Sequence, residues 1–254
     1  MRAATEWESY VHSFHADHPG ITEQAFRHAA HPEVGTPYAW LVEALDRPLG
    51  RVLDVACGNA ALLPWLDGYE AYLGLDTSED EVARARLLQR GPVLLADARR
   101  LPVADASVDT VVSSMGLMLV DPVERALAEV RRALAPGGTL ALLVPSVWPV
   151  SLRDARLGLP LALALRGPGS MPQHFFVHRL RRLLEAAGLN MVDAQRRRFP
   201  FPVRGATDAT LAVQSLYTPG RSTHSLVRGQ RVLTRLAGAE AELPVPLLRV
   251  LARG

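Results

Sequence analysis

Short apolar runs alternate along this chain with segments of helical period. Val52–Val55 is a run that encloses Asp54 and breaks into the small-residue turn Ala56-Cys57-Gly58. Tyr72-Leu73-Gly74-Leu75 leads into Asp76, 18 residues past Gly58. Val93–Ala96 ends at Asp97, and Val108–Ser113 and Thr139–Val144 follow, the latter after the turn signal Pro136-Gly137-Gly138. Between these strands the pattern predicts helices at Leu62–Asp67, at Glu79–Arg90 with Ser78 and Glu81 as a capping box, and at Glu124–Leu134. Such alternation predicts a parallel sheet with helices on both faces.

The flanks are less regular. Residues 1–48 read as short helices broken at Pro19-Gly20 and His31-Pro32, and they hold His12, His15, His18, His28 and His31. Leu41–Leu45 reads as a helix end leading into the first strand. Residues 146–175 are punctuated by Pro and Gly. A helix at Val177–Ala187 stops at Gly188, a sixth strand follows at Leu189–Arg198, and residues 207–238 are helical on either side of Pro219-Gly220. Val245–Ala252 reads as the last strand. With no long linker, one domain over 1–254 is expected: an N-terminal helical lid (1–48), a ligand-binding half (49–145) and a second half with a helical cap insertion (146–254).

Composition narrows the function classes. At 254 residues and 48% hydrophobic, the chain is long enough for a large core. A net charge of +2 calls for neither nucleic acid nor an anionic membrane, and the interleaved aromatics of an RNA binder are missing. All basic residues are Arg. The single Cys57 leaves no internal disulfide and fits a reducing cytoplasm. Met1–Trp7 lacks a signal-peptide pattern, and the longest apolar stretch, Leu157–Leu165, is too short to span a bilayer. A homodimer is left open.

The strand tips carry the chemistry. An acid about 20 residues past a glycine turn is placed to bond ribose hydroxyls, so Asp76 points to a nucleoside. A dinucleotide fold needs three glycines and a helix N-terminus free for pyrophosphate. Here Asp54 ends the first strand and two of the glycine positions hold Ala56 and Ala60. A carboxylate repels pyrophosphate and tolerates a cation, so the sign of the charge favours S-adenosylmethionine over a nicotinamide dinucleotide.

Four stretches in order carry a resemblance: Val52-Leu-Asp-Val-Ala-Cys-Gly58, Leu73-Gly-Leu-Asp-Thr-Ser78, Leu95–Asp109 and Leu127–Leu140. The chain resembles the class I S-adenosylmethionine-dependent methyltransferases of the small-molecule type (methyltransferase domain 11-like). The resemblance implies an α/β Rossmann-like, doubly wound, mostly parallel seven-stranded sheet, with S-adenosyl-L-methionine as cofactor and no metal. It also implies that Asp76 takes the ribose hydroxyls, with Thr77 beside it, and that Asp97 and the Ala98 N–H meet the adenine. Asp54 would meet the methionine ammonium, directly or through water, and Ala56, Cys57 and Gly58 keep the loop small for close approach. Ser114 and Met115 would lie beside the sulfonium. Many relatives have two His shortly after this point; Met118 and Leu119 stand here, which makes the acceptor wall more apolar.

Oxygen or nitrogen acceptors usually need a proton removed, and neutral imidazole suits that task. His15 is the first candidate and His12 the second, because Tyr10, Phe14 and His15 could share one helix face; His174 and His178 follow. The apolar side chains Trp148, Leu152, Leu157, Leu161, Phe175, Phe176, Phe199 and Phe201 suggest a lipophilic or aromatic small-molecule acceptor. Arg179, Arg181, Arg182 and Arg196–Arg198 read as a basic patch, and a solvated helix face and an exposed strand edge explain them equally well. The expected activity is methyl transfer to a small acceptor, plausible in secondary metabolism; the alternative is a cofactor-binding protein that does not methylate, cyclase-like or non-catalytic.

Overall fold

A computed structural model describes residues 5–146, 151–166 and 177–254. The elements in chain order are α1 (Glu6–Asp17), α2 (Ile21–His28), α3 (Pro37–Glu43), β1 (Gly50–Val55), β2 (Tyr69–Asp76), α4 (Glu79–Leu87), β3 (Val93–Leu95), β4 (Val108–Ser114), α5 (Val123–Ala133), β5 (Leu134–Pro145), α6 (Leu152–Ala164), α7 (Val177–Ala186), β6 (Asn190–Pro202), α8 (Ala206–Gln214), α9 (Thr223–Leu236) and β7 (Glu242–Arg253).

Local chemistry sets many of these ends. Thr5 and Glu8 close a reciprocal capping box on α1, and Ser151 and Asp154 do the same on α6. Thr36 caps α3 with Pro37 at its first position. Gly188, at φ +76°, stops the chain after α7.

The seven strands form one sheet in the order β3-β2-β1-β4-β5-β7-β6, parallel from β3 to β5, with β7 antiparallel to both β5 and β6. The doubly wound, mostly parallel architecture expected from the sequence is therefore present. Alternation along β1 divides the core: Leu53 and Val55 join the α5 and α7 side, and Val52 joins the side covered by α3, α4, α6 and α9. The strand order reverses between β1 and β4, and at such a switch point the carboxyl ends of the strands leave a crevice.

Three expectations change. The first crossover is not a helix over Leu62–Asp67 but a single 3₁₀ turn at Leu63–Trp65, with Pro64 accommodated in that first turn and β2 beginning already at Tyr69. Ser78 does cap α4 by accepting from the Glu81 N–H, but the Glu81 side chain turns away to the N-terminal lid. Leu152–Ala164 form the continuous helix α6 despite Gly158 and Pro160; the buried stripe of Leu157, Leu161 and the capping Leu165 explains why packing overrides those breakers.

Candidate functional site

One cleft of about 530 Å³ opens where β1, β2, β3 and β4 end. Its walls include Ala56, Cys57, Gly58, Asp76, Thr77, Asp97, Ala98, Ser114 and Met115 from the strand tips, and His12 and His15 from α1. Eleven of twelve residues, the ten assigned from the sequence to the cofactor plus the first two candidate bases, His15 and His12, thus meet at one place. The twelfth, Asp54, is not a wall residue: it sits one register step below the tip of β1, 1% exposed, and accepts a hydrogen bond from the Tyr72 hydroxyl at 3.1 Å. Burial pushes its carboxyl up to about 7.

The floor is built from backbone that small residues allow. Ala56, Gly58 and Met115 have φ values of +55°, +55° and +62°. A Cβ placed on Gly116 would come 2.3 Å from the Cβ of Ala56, so the loops after β1 and β4 are held together by the lack of a side chain. Cys57 is buried, and burial with Asp54 and Asp76 nearby raises its thiol well above the ordinary value, so it packs rather than reacts.

Asp76 is held rigidly. Its Oδ2 accepts from the Gly58 N–H at 2.7 Å and its Oδ1 from the Ser78 N–H at 2.9 Å. Burial raises its carboxyl overall, with the two N–H donors opposing that shift. Asp97 is different: burial pushes it up, but Arg99 outweighs this and holds it below the ordinary range. Arg99 donates from Nε and Nη2 to Asp97, and from Nη1 to Glu8 of α1 at 2.6 Å and to the Asp121 carbonyl at 2.7 Å. That guanidinium ties the lid to the third strand tip.

The fastenings of the N-terminal lid are the part that sequence spacing did not foresee. The ring nitrogens of His15 are both engaged, Nδ1 with Glu81 Oε1 at 3.1 Å and Nε2 with the Tyr217 hydroxyl at 3.1 Å. Glu81 Oε1 also accepts from the Gly20 N–H at 2.8 Å. Thr218 N–H donates to the Tyr10 hydroxyl, and Trp7 Nε1 donates to the Leu119 carbonyl. Beneath α2, Glu23 binds Arg90 through two 2.9 Å bonds, Arg27 at 2.9 Å and Asn59 at 2.6 Å. His12 faces the same cleft, and its ring has no hydrogen-bond partner among the described residues. Glu81 and Tyr217 were missed as wall residues: one read as a helix cap, the other lies 202 positions from its partner.

The acceptor wall expected from the sequence is not where the cleft is. Leu157, Leu161, Phe199 and Phe201 are 8% exposed or less and belong to the core, where they pack with Trp40 and α9. Leu152 points to solvent, 95% exposed. Trp148, His174, Phe175 and Phe176 lie outside the described residues. Leu119 lines the cleft as an apolar wall, while Met118 is buried in the core. Arg197 pairs with the exposed Glu33, whereas Arg198 differs from a solvated side chain: it pairs with the buried Asp154 of α6 and with Glu242 of β7. Among the described residues no group of three or more His, Cys, Asp or Glu could hold a metal ion, and no helix is long and apolar enough to cross a membrane.

Comparison with known proteins fits this geometry. Residues 53–142 match the family model described as a methyltransferase domain. The ubiquinone/menaquinone biosynthesis C-methyltransferase UbiE of Burkholderia mallei (strain SAVP1) is 36% identical over 128 residues, covering 45% of this chain and 53% of the relative. The chain thus spans about half the length of the curated relatives it matches. Among solved structures, a putative methyltransferase from Bacillus halodurans C-125 aligns with a TM-score of 0.58 and 18% identity over 85% of this chain and 98% of that one. The 4+2 cyclase SpnF aligns with a TM-score of 0.61 and 17% identity over 100% of this chain and 97% of that one. The fold is that of the class I methyltransferases.

Proposed function

We propose, from the premise that residues 53–142 are a methyltransferase domain within a chain of class I methyltransferase fold, that the protein transfers a methyl group from S-adenosylmethionine to a small-molecule acceptor in the cytoplasm. The observation that carries this reading is the convergence of Asp76, Asp97, Ala98 and the Ala56–Gly58 loop on one cleft. The cleft suits an adenosyl ligand: Gly116 and Ala56 keep its floor narrow, and the buried Ser114 Oγ and Glu81 Oε2, both on its wall, lack hydrogen-bond partners among the described residues.

In this assignment Asp76 accepts from the ribose, Asp97 and the Ala98 N–H hold the adenine, and Thr77 flanks it at the mouth. The Ala56–Gly58 loop and Met115 face the methionine end. Asp54 contributes from behind the loop through the local field rather than by direct contact, since Tyr72 already occupies one of its oxygens. When bound, the cofactor supplies an electrophilic methyl on a sulfonium, so displacement at that carbon needs no metal. The chain's own part is alignment and exclusion of water, which in intramolecular reactions is worth about 7–11 kcal/mol.

Proton removal falls to His12 rather than His15. His15 has both nitrogens committed to Glu81 and Tyr217, whereas His12 faces the cleft free of described partners. The wall that an acceptor would meet is mixed, with Leu119 and Val120 beside Ser9, Ser13 and His12. That composition supports a small acceptor with both an apolar body and a polar nucleophile.

Single-turnover mass spectrometry with methyl-labelled cofactor and panels of candidate acceptors tests the reaction. Label recovered on an acceptor supports transfer. Product without label would instead support a cofactor-binding role that does not methylate.

A further inference from the structure

Glu81 is an acid in an unusual place. Its side chain is 4% exposed on the first turn of α4, yet it faces the cleft and not the solvent. Its two oxygens have different surroundings. Oε1 holds the lid, accepting from the Gly20 N–H and from His15. Oε2 is buried and, among the described residues, accepts nothing. A carboxylate oxygen in that state is costly unless a donor reaches it.

The position of Oε2 indicates which donor. It lies 3.7 Å from where a Cβ on Gly58 would stand, and the Gly58 N–H is the group that donates to Asp76 Oδ2. Asp76 and Glu81 therefore flank the same piece of backbone on the same wall. Both oxygens of Asp76 already accept a backbone N–H. A vicinal diol offers two hydroxyl donors on adjacent carbons, a spacing that two neighbouring carboxylates can share.

We infer that Glu81 is a second carboxylate for the ribose of the adenosyl ligand: Asp76 and Glu81 divide the 2′- and 3′-hydroxyls between them, and Glu81 couples that diol to the lid through its other oxygen. The inference rests on the adenosyl-binding reading above and adds to it a residue that spacing alone reads as a helix cap. It also explains why a buried acid stands at this position of α4 when its neighbours Val82 and Ala85 are apolar core. His15 serves as a positioning residue, held between Glu81 and Tyr217, and fixes the carboxylate plane.

Calorimetry with S-adenosylhomocysteine and its 2′-deoxy and 3′-deoxy ribose analogues tests this on the full chain. The wild type is expected to lose about tenfold in affinity for each deoxy analogue, the scale of one hydrogen bond to a charged group. Glu81→Gln is expected to bind the parent ligand about tenfold more weakly, and to lose the penalty for one deoxy analogue while keeping it for the other. Thermal melts establish that the variant is folded; should it not fold, Glu81→Asp carries the same comparison, with its shortened side chain withdrawing from the diol. Unchanged deoxy penalties in the variant overturn the shared-diol assignment, as does unchanged affinity for the parent ligand. Failure of the wild type to take up S-adenosylhomocysteine at all would instead sink the adenosyl reading beneath it.

Discussion

Glu23 of α2 and Asp54 of β1 are both nearly inaccessible, 7% and 1% exposed, and they carry opposite electrostatic stories. Burial pushes both carboxyls up. At Glu23, bonds from Arg90, Asn59 and Arg27 outweigh burial and bring it down to about 2. At Asp54 the one opposing group is the Tyr72 phenol, and the nearby Asp76 adds to burial, so it rises to about 7. The lid is fastened by full charges in matched pairs, whereas the sheet beneath the cleft keeps an acid poised between its two protonation states. Two buried acids in one molecule thus serve stability in one region and cost stability in the other.

Glu23→Ala should sharpen the contrast most. It leaves Arg90 and Asn59 facing an empty partner and should cost about 3–5 kcal/mol in chemical denaturation. Arg27→Ala, on the half-exposed side of the same network, should cost under about 1 kcal/mol. The pH dependence follows from the direction of each shift. Glu23 falls from 4.5 to about 2 on folding, so its contribution is complete above about pH 4.5 and is lost as pH drops toward 2. Asp54 is raised from 3.8 to about 7, so the folded state keeps a proton that the unfolded chain has released. Its cost grows as pH climbs from 3.8 to 7 and is complete above 7.

Asp54→Asn is therefore expected to stabilise the ligand-free protein at pH 8 by on the order of 2 kcal/mol, with the gain shrinking toward pH 4; a melting temperature that falls at pH 8 would break the comparison. Asp76→Ala should weaken S-adenosylhomocysteine binding at least tenfold, about 1.4 kcal/mol by calorimetry. The smallest effect belongs to the surface. Arg47→Ala, which removes an exposed pair with Asp67, should shift stability by less than about 0.5 kcal/mol.

What could be read in the chain follows the same division. The strand tips at Asp76, Asp97 and Ser114 were legible because each closes a short apolar run and the ends of parallel strands lie at one sheet edge, even though Leu94 and Leu95 of the edge strand β3 are exposed. The lid's fastenings were not, because His15 meets Glu81 66 positions away and Tyr217 202 positions away, and no local period encodes such meetings. Leu157, Phe199 and Phe201 misled for a different reason: an apolar side chain looks the same in a sequence whether it lines a cleft or fills a core. The helix expected at Leu62–Asp67 is cut to one turn because β2 begins at Tyr69, a boundary set by strand pairing that the local period does not carry.

That abbreviated crossover has its own consequence. A long helix starting just past Gly58 would aim a row of free backbone donors and the positive end of its dipole at whatever lies against the loop. The tight turn at Leu63–Trp65 offers no such electrostatic welcome, and the acids of the neighbouring strand ends oppose negative charge further. Ligands bearing phosphate chains, ATP and the pyridine dinucleotides among them, should be turned away at this edge, leaving it to a nucleoside whose tail carries positive charge.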